Sequence, residues 1–351
     1  MTPPLQDRAP RRSWLIAGVA LLVLVLAAVL LTRGGDGGDT GPDSPSGSPG
    51  QSSPTSTLPP APVPPVSVVD EASLTVPEEL RAADGSFYLE RGTSYLASFE
   101  VSTMKSPGEP GLAMYLGVTF SCAGADGGVS EWIGGTENLL VDQPVTYRNQ
   151  LLLEPQQSQV VSCSVRANAP YDDVAAAGAT IDLDISWSVR PVDGGAVSTP
   201  SEQRLPMTID PGEREFVFLE AVPVDDAPDR QVQLLSSLHV TTCTVVNGSR
   251  EAGRTWCGQD DLDERGSDFD VELRVDVLDE SGERCGSVDV VTGKVHLPLE
   301  RHHQLVSRDE VFEVSGALCG PMLRTAVVVD NRGPASLVIH ESNSSLITLI
   351  S

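Results

Sequence analysis

A two-residue period of hydrophobicity, recurring from about residue 67 to the last residue, constrains this chain more than any other feature. Ile181, Leu183, Ile185, Trp187 and Val189 alternate with Asp182, Asp184, Ser186, Ser188 and Arg190. That is the pattern of a strand with one face in a core and the other in water. Phe269, Val271, Leu273, Val275 and Val277 alternate in the same way with Asp270, Glu272, Arg274 and Asp276. Met114, Leu116, Val118, Phe120 and Cys122 share one face of a third strand, and Val161, Cys163 and Val165 one face of a fourth. SPGEPG (106–111), DESGE (279–283) and DNRGP (330–334) supply turns between such runs, and DDVAAAGA (172–179) is the longest helical candidate. Short strands, regular turns and little helix predict β-sandwiches.

Trp14–Leu31 breaks this pattern with eighteen residues free of charge. At 1.5 Å per residue the run makes a helix of about 27 Å, close to the hydrocarbon thickness of a bilayer. Arg8, Arg11 and Arg12 precede it, and Arg33 is the sole base in the 32 residues that follow. The excess of positive charge on the N-terminal side places that side in the cytoplasm and the rest outside. A cleaved secretory signal is the competing reading, but its apolar core is about 7–15 residues long and ends in small-x-small, a site that Arg33 spoils. The expected organisation is a cytoplasmic tail (1–13), a transmembrane signal-anchor helix (14–32) and a disordered Gly/Ser/Pro-rich linker (33–66). Two tandem immunoglobulin-like β-sandwich domains follow, at 67–198 and 205–351, separated where GGAVSTPSEQRLP interrupts the alternation.

The chain holds 23 bases and 49 acids; without residues 1–33, which contribute four Arg and one Asp, 19 bases face 48 acids, a charge of −29 outside. Such a surface repels phosphate, so nucleic acid and anionic headgroups are excluded as partners. All six cysteines lie on the outer side, an even number in an oxidising compartment. If each domain closes its own bonds, Cys122–Cys163 is forced, and Cys243–Cys319 with Cys257–Cys285 is the preferred remainder. A first-domain bond between inward faces would staple the two sheets. Zinc ligation is disfavoured by the absence of any CxxC pair.

Cys243, Trp256 and Cys319, and more tightly Cys122, Trp132 and Cys163, have roughly the Cys…Trp…Cys spacing of an immunoglobulin-like sandwich, although Ala317 and Val161 stand where a Tyr is expected. Duplication is hinted at by LTVPEE (74–79) beside MTIDPGE (207–213), SFEV (98–101) beside EFVF (215–218), and LGVTFSC (116–122) beside LHVTTC (238–243). DLDERGSDFDVE (261–272) partly follows a calcium loop, but Arg265 puts a cation at a ligand position. An irregular calcium site from Asp260, Asp261, Asp263 and Asp268 is the one cofactor the sequence offers. His302 and His303 lie in the polar run ERHHQ and read as exposed polar residues; neighbours on a strand face opposite ways, so the pair would not chelate one metal.

GxSxG, a Cys–His arrangement and a phosphate-cradling loop are absent, so no enzyme is predicted. The expected function is a single-pass bacterial surface protein whose ectodomain is a non-catalytic binding or structural module, with a cell-wall component or an envelope protein as its partner. An accessory or regulatory ectodomain of an envelope complex is the alternative, and a wall hydrolase a distant third.

Overall fold

Alternation carries over directly into strands, because β-branched and aromatic residues on one face fit a pleated, half-buried surface. Ile181, Leu183, Ile185, Trp187 and Val189 are all buried in one strand, and Phe269 to Val277 in another. The computed structural model describes residues 61–76, 78–103, 114–124, 127–139, 143–169, 180–199, 204–224, 229–243, 265–315 and 318–351. The expected membrane span, the linker up to residue 60 and the helical candidate 172–179 lie outside them. Among the described residues no helix is long and apolar enough to cross a membrane.

Eight strands form the first half: β1 Val66–Thr75, β2 Glu79–Leu89, β3 Tyr95–Thr103, β4 Met114–Gly124, β5 Ser130–Leu139, β6 Val145–Leu153, β7 Gln159–Asn168 and β8 Thr180–Pro191. They pair antiparallel in two sheets, β1-β8-β3-β6 and β2-β7-β4-β5. Ten follow: β9 Gly195–Thr199, β10 Met207–Ile209, β11 Arg214–Pro223, β12 Asp229–Thr242, β13 Ser267–Leu278, β14 Arg284–Leu297, β15 His303–Ser315, β16 Met322–Asn331, β17 Leu337–Ile339 and β18 Ser345–Ile350. Their sheets run β10-β17-β12-β18-β9, with β15 on the other side of β12, and β11-β16-β13-β14.

If β9 with β10 counts as one interrupted strand and β17 with β18 as another, the second half repeats the first strand for strand. The expectation of antiparallel sandwiches therefore holds, but the immunoglobulin-like order does not. In both halves successive strands switch sheets except at the fourth-to-fifth hairpin, which is the double Greek-key order of a jelly roll. The reason is topological: each half pairs its first strand with its last, as in Val66↔Val189 and Met207↔Ile339. β9, expected to close the first half, is instead an edge strand on β18 of the second.

Two cores result. Trp187, with ring centroids 5.8 Å from Phe87 and 5.9 Å from Phe120, anchors the first. Phe218, Phe269, Leu273 and Val327 lie in the second. A smaller cluster of Leu96, Leu152, Leu235, Ile347 and Leu349 joins the halves, and polar contacts surround it. Glu137 of β5 accepts from Arg301, in the 3-10 turn Leu299–Arg301, and from Leu305 N at 3.3 Å. His303 N donates to Asn138 Oδ1 at 2.9 Å, and Asn149 Nδ2 to the Asn343 carbonyl at 2.9 Å.

Gly134 on β5 is a glycine at the junction of the two halves where a side chain does not fit. A Cβ there would lie 2.3 Å from the Val118 carbonyl and 2.9 Å from Asn343 Oδ1. The carbonyl belongs to a neighbouring strand and cannot yield, so Gly134→Ala should destabilise by about 1–3 kcal/mol. Urea unfolding of the full chain checks this, and an unchanged midpoint would count against it.

Cys122 and Cys163 are bonded as expected, but as directly opposed residues on adjacent strands of one sheet. They do not staple sheet to sheet. Neither expected bond of the second half forms, because Cys285 pairs with Cys319. Leu278, at the end of β13, is opposite both Arg284 of β14 and Met322 of β16, and this brings the two cysteines to a Cα separation of 6.0 Å. Cys243 is also disulfide-bonded; Cys257 lies outside the described residues.

Candidate functional site: a histidine cluster beside an inter-sandwich cleft

β12 is the strand that builds the site. Its inward residues Leu238 and Val240 enter the core. Successive strand residues point to opposite faces, so His239 and Thr241 are turned away from that core, toward the first half. His303, the first residue of β15, is directly opposite Thr241, and His340, just past β17, donates its backbone N–H to the His239 carbonyl at 2.9 Å. Three histidines far apart in sequence are thus drawn together by strands on either side of β12. One nitrogen from each of His239, His303 and His340 lies within 4.8 Å of the others.

The hydrogen bonds orient the rings. A carbonyl can only accept, so the 3.3 Å contact to the Ser342 carbonyl makes His239 Nδ1 the protonated nitrogen and leaves the lone pair on Nε2. That Nε2 is buried and has no hydrogen-bond partner among the described residues. Thr241 Oγ1 lies 2.5 Å from His303 Nδ1 and 2.7 Å from His340 Nε2. His302 lies beside His303 with ring centroids 4.4 Å apart and the ring planes tilted by 54°.

Burial keeps the cluster neutral. It pushes His239 down to about 3, helped by the charge of His340. It pushes His303 to about 2, with His302, His239 and His340 adding to the effect, and His302 to about 4. His340 is lowered by burial as well.

His340 also lines a cleft of about 610 Å³ with Ser130, Glu131, Trp132, Glu341 and Asn343. This cleft lies between β5 and the 340–344 segment, one wall from each half. Trp132 is 61% exposed there, although it is large and apolar. Burial, and then the charge of Glu154, raises the Glu131 carboxyl.

The residues singled out from sequence are placed differently. Asp260, Asp261 and Asp263 lie outside the described residues. Asp268 is exposed on β13 and accepts from, or pairs with, His296 Nδ1 at 2.8 Å. Glu272, the last position of the calcium-loop match, is bound to Arg214. His302 and His303 are not the exposed polar pair expected: His302 is buried and His303 half-buried, because the first half covers this face.

No family model matches the chain, and no curated protein matches it. Solved structures overlap it weakly. The PBSX exported protein XepA shares 11% identity at a TM-score of 0.20, covering 82% of this chain and 86% of its own. The N-terminal CBM22-1–CBM22-2 tandem domain of Xyn10C from Paenibacillus barcinonensis shares 8% at 0.22, covering 80% and 91%. An insecticidal delta-endotoxin of Bacillus thuringiensis shares 8% at 0.23, covering 74% and 54%. Overlaps this low carry neither a fold nor a function across.

Proposed function

We propose that this is a membrane-anchored, extracytoplasmic binding module without catalytic activity, and that the cleft between its two jelly rolls takes a cell-wall glycan. The exposed indole of Trp132 in a cleft is the observation that carries this reading. A flat aromatic face suits the C–H face of a sugar ring, and carboxylate, amide and hydroxyl groups such as Glu131, Asn343 and Ser342 suit its hydroxyls. Anchoring rests on the Trp14–Leu31 run, and the outer compartment on disulfides, which persist in oxidising surroundings.

Retention of the full chain, purified in detergent, on isolated wall polysaccharide tests the reading. Trp132→Ala should lower retention at least about tenfold while leaving the unfolding free energy within about 0.5 kcal/mol, as for a surface change. Equal retention of the variant would sink the cleft as the binding surface. A stoichiometric membrane-protein partner without wall retention would favour an accessory ectodomain of an envelope complex. Calcium and chelator arms cover the acidic loop around Asp260, Asp261, Asp263 and Asp268.

A further inference from the structure

We propose that His239, His303 and His340 bind one divalent first-row transition-metal ion of the zinc class, with Thr241 as the positioning residue between them. This site goes beyond the glycan reading and stands or falls separately from it.

The donor set comes first. Three imidazole nitrogens lie within 4.8 Å of one another, with no carboxylate or thiolate in the group. Hard cations such as calcium take oxygen ligands, whereas imidazole suits zinc, copper, nickel and iron. Zinc–nitrogen bonds of about 2.0–2.1 Å put tetrahedral donors roughly 3.3 Å apart. Closing the set from within 4.8 Å to that spacing is a shift of about 1.5 Å at most, shared among three side chains.

Orientation is the second argument. Metal-binding histidines characteristically give their other ring N–H to a carbonyl or carboxylate, which fixes the tautomer. His239 does this with the Ser342 carbonyl, and its Nε2 is then a buried lone pair lacking a hydrogen-bond partner among the described residues. Buried polar atoms are satisfied in the great majority of cases, so this one calls for an explanation. Thr241 supplies a related constraint on the other two rings. Its hydroxyl has one proton, so it can donate to at most one of His303 Nδ1 and His340 Nε2 and accepts an N–H from at least one of them. Both rings are thereby held in orientation on one hydroxyl. His340 also lines the cleft, so the site has a route to solvent.

The test is equilibrium titration of the untagged full chain in detergent, stripped with a chelator and dialysed, first with zinc chloride and then with cobalt(II) as the spectroscopic probe. One equivalent should bind, with the visible absorption of low-coordinate cobalt on nitrogen ligands and a thermal midpoint that rises with metal concentration. His239→Gln, His303→Gln and His340→Gln should each weaken binding about 100-fold or more. Thr241→Val should weaken it about tenfold, the scale of an outer-shell partner. His296→Gln, on an exposed histidine elsewhere, should bind as the parent does. Near-UV circular dichroism reports whether each variant is folded, and half-buried His340, outside the strands, disturbs the core less than buried His239. Sub-stoichiometric binding by the parent chain would overturn the proposal, and so would parent-like binding by folded His340→Gln.

Discussion

Glu137→Ala should destabilise the protein by about 3–5 kcal/mol, the usual cost of removing one partner from a buried ion pair. Glu137 is 1% exposed, and its carboxylate takes Arg301 on one oxygen and the Leu305 amide on the other. Both partners belong to the other half of the molecule. Truncation strands the Arg301 guanidinium, whose Nε already lacks a partner among the described residues, and leaves a backbone donor unmet at the junction. Burial pushes the carboxyl up to about 7 despite the attraction of Arg301, so the neutral isostere Glu137→Gln should cost much less than the alanine. Urea unfolding of both variants, with Arg301→Ala and the double variant completing a cycle, measures the coupling. A loss below about 1 kcal/mol for Glu137→Ala would show that the junction does not depend on this pair.

Acid should weaken the metal-free protein steeply. His239, His303 and His302 have folded pKa values of about 3, 2 and 4, below the ordinary value of 6.5. Between those values the unfolded chain binds more protons than the folded one, so stability is fully present above about pH 6.5 and is lost as pH falls. Each histidine that stays neutral steepens the loss by up to about 1.4 kcal/mol per pH unit, several kcal/mol in total by about pH 4.5. Glu137 works in the opposite direction. Its raised value makes the folded state the stronger proton binder between about 4.5 and 7, so its share of stability falls as pH rises through that window. The histidines outnumber it, and a net loss toward acid is expected. Thermal midpoints at about pH 7.5, 6 and 5 with chelator present are the measurement. A midpoint independent of pH would show that the cluster is hydrated or protonated in the folded protein.

The strands at 181–189 and 269–277 are legible in the sequence because their alternation is local. Sheet neighbours are not, since β12 touches β15, β17 and β18 across long stretches of chain that no period records. The histidine cluster depends on those neighbours and is hidden for the same reason. His239 and Thr241 do carry a signal, being polar residues that share a strand face, but only the covering first half turns that face inward. Cys285–Cys319 is equally invisible, because it requires β14 and β16 to flank β13. The duplication shows only in part. LTVPEE and MTIDPGE do join the first and second strands of their halves, whereas SFEV lies in β3 and EFVF in β11, which are not counterparts. The matching pair is LASFEVST (96–103) with LSSLHVTT (235–242), in β3 and β12; it places Glu100 where the second half has His239 and Ser102 where it has Thr241.

Pairing the first strand of a half with its last also decides how that half bears mechanical load. A pull arriving at Val66 and leaving toward β9 acts on Val66 and Val189, which stand directly opposite each other at one end of the β1–β8 ladder. Force applied there opens the ladder like a zipper, one rung at a time, instead of shearing all its rungs together. The first jelly roll is therefore the element that yields when the second is held and the N-terminal side is drawn away.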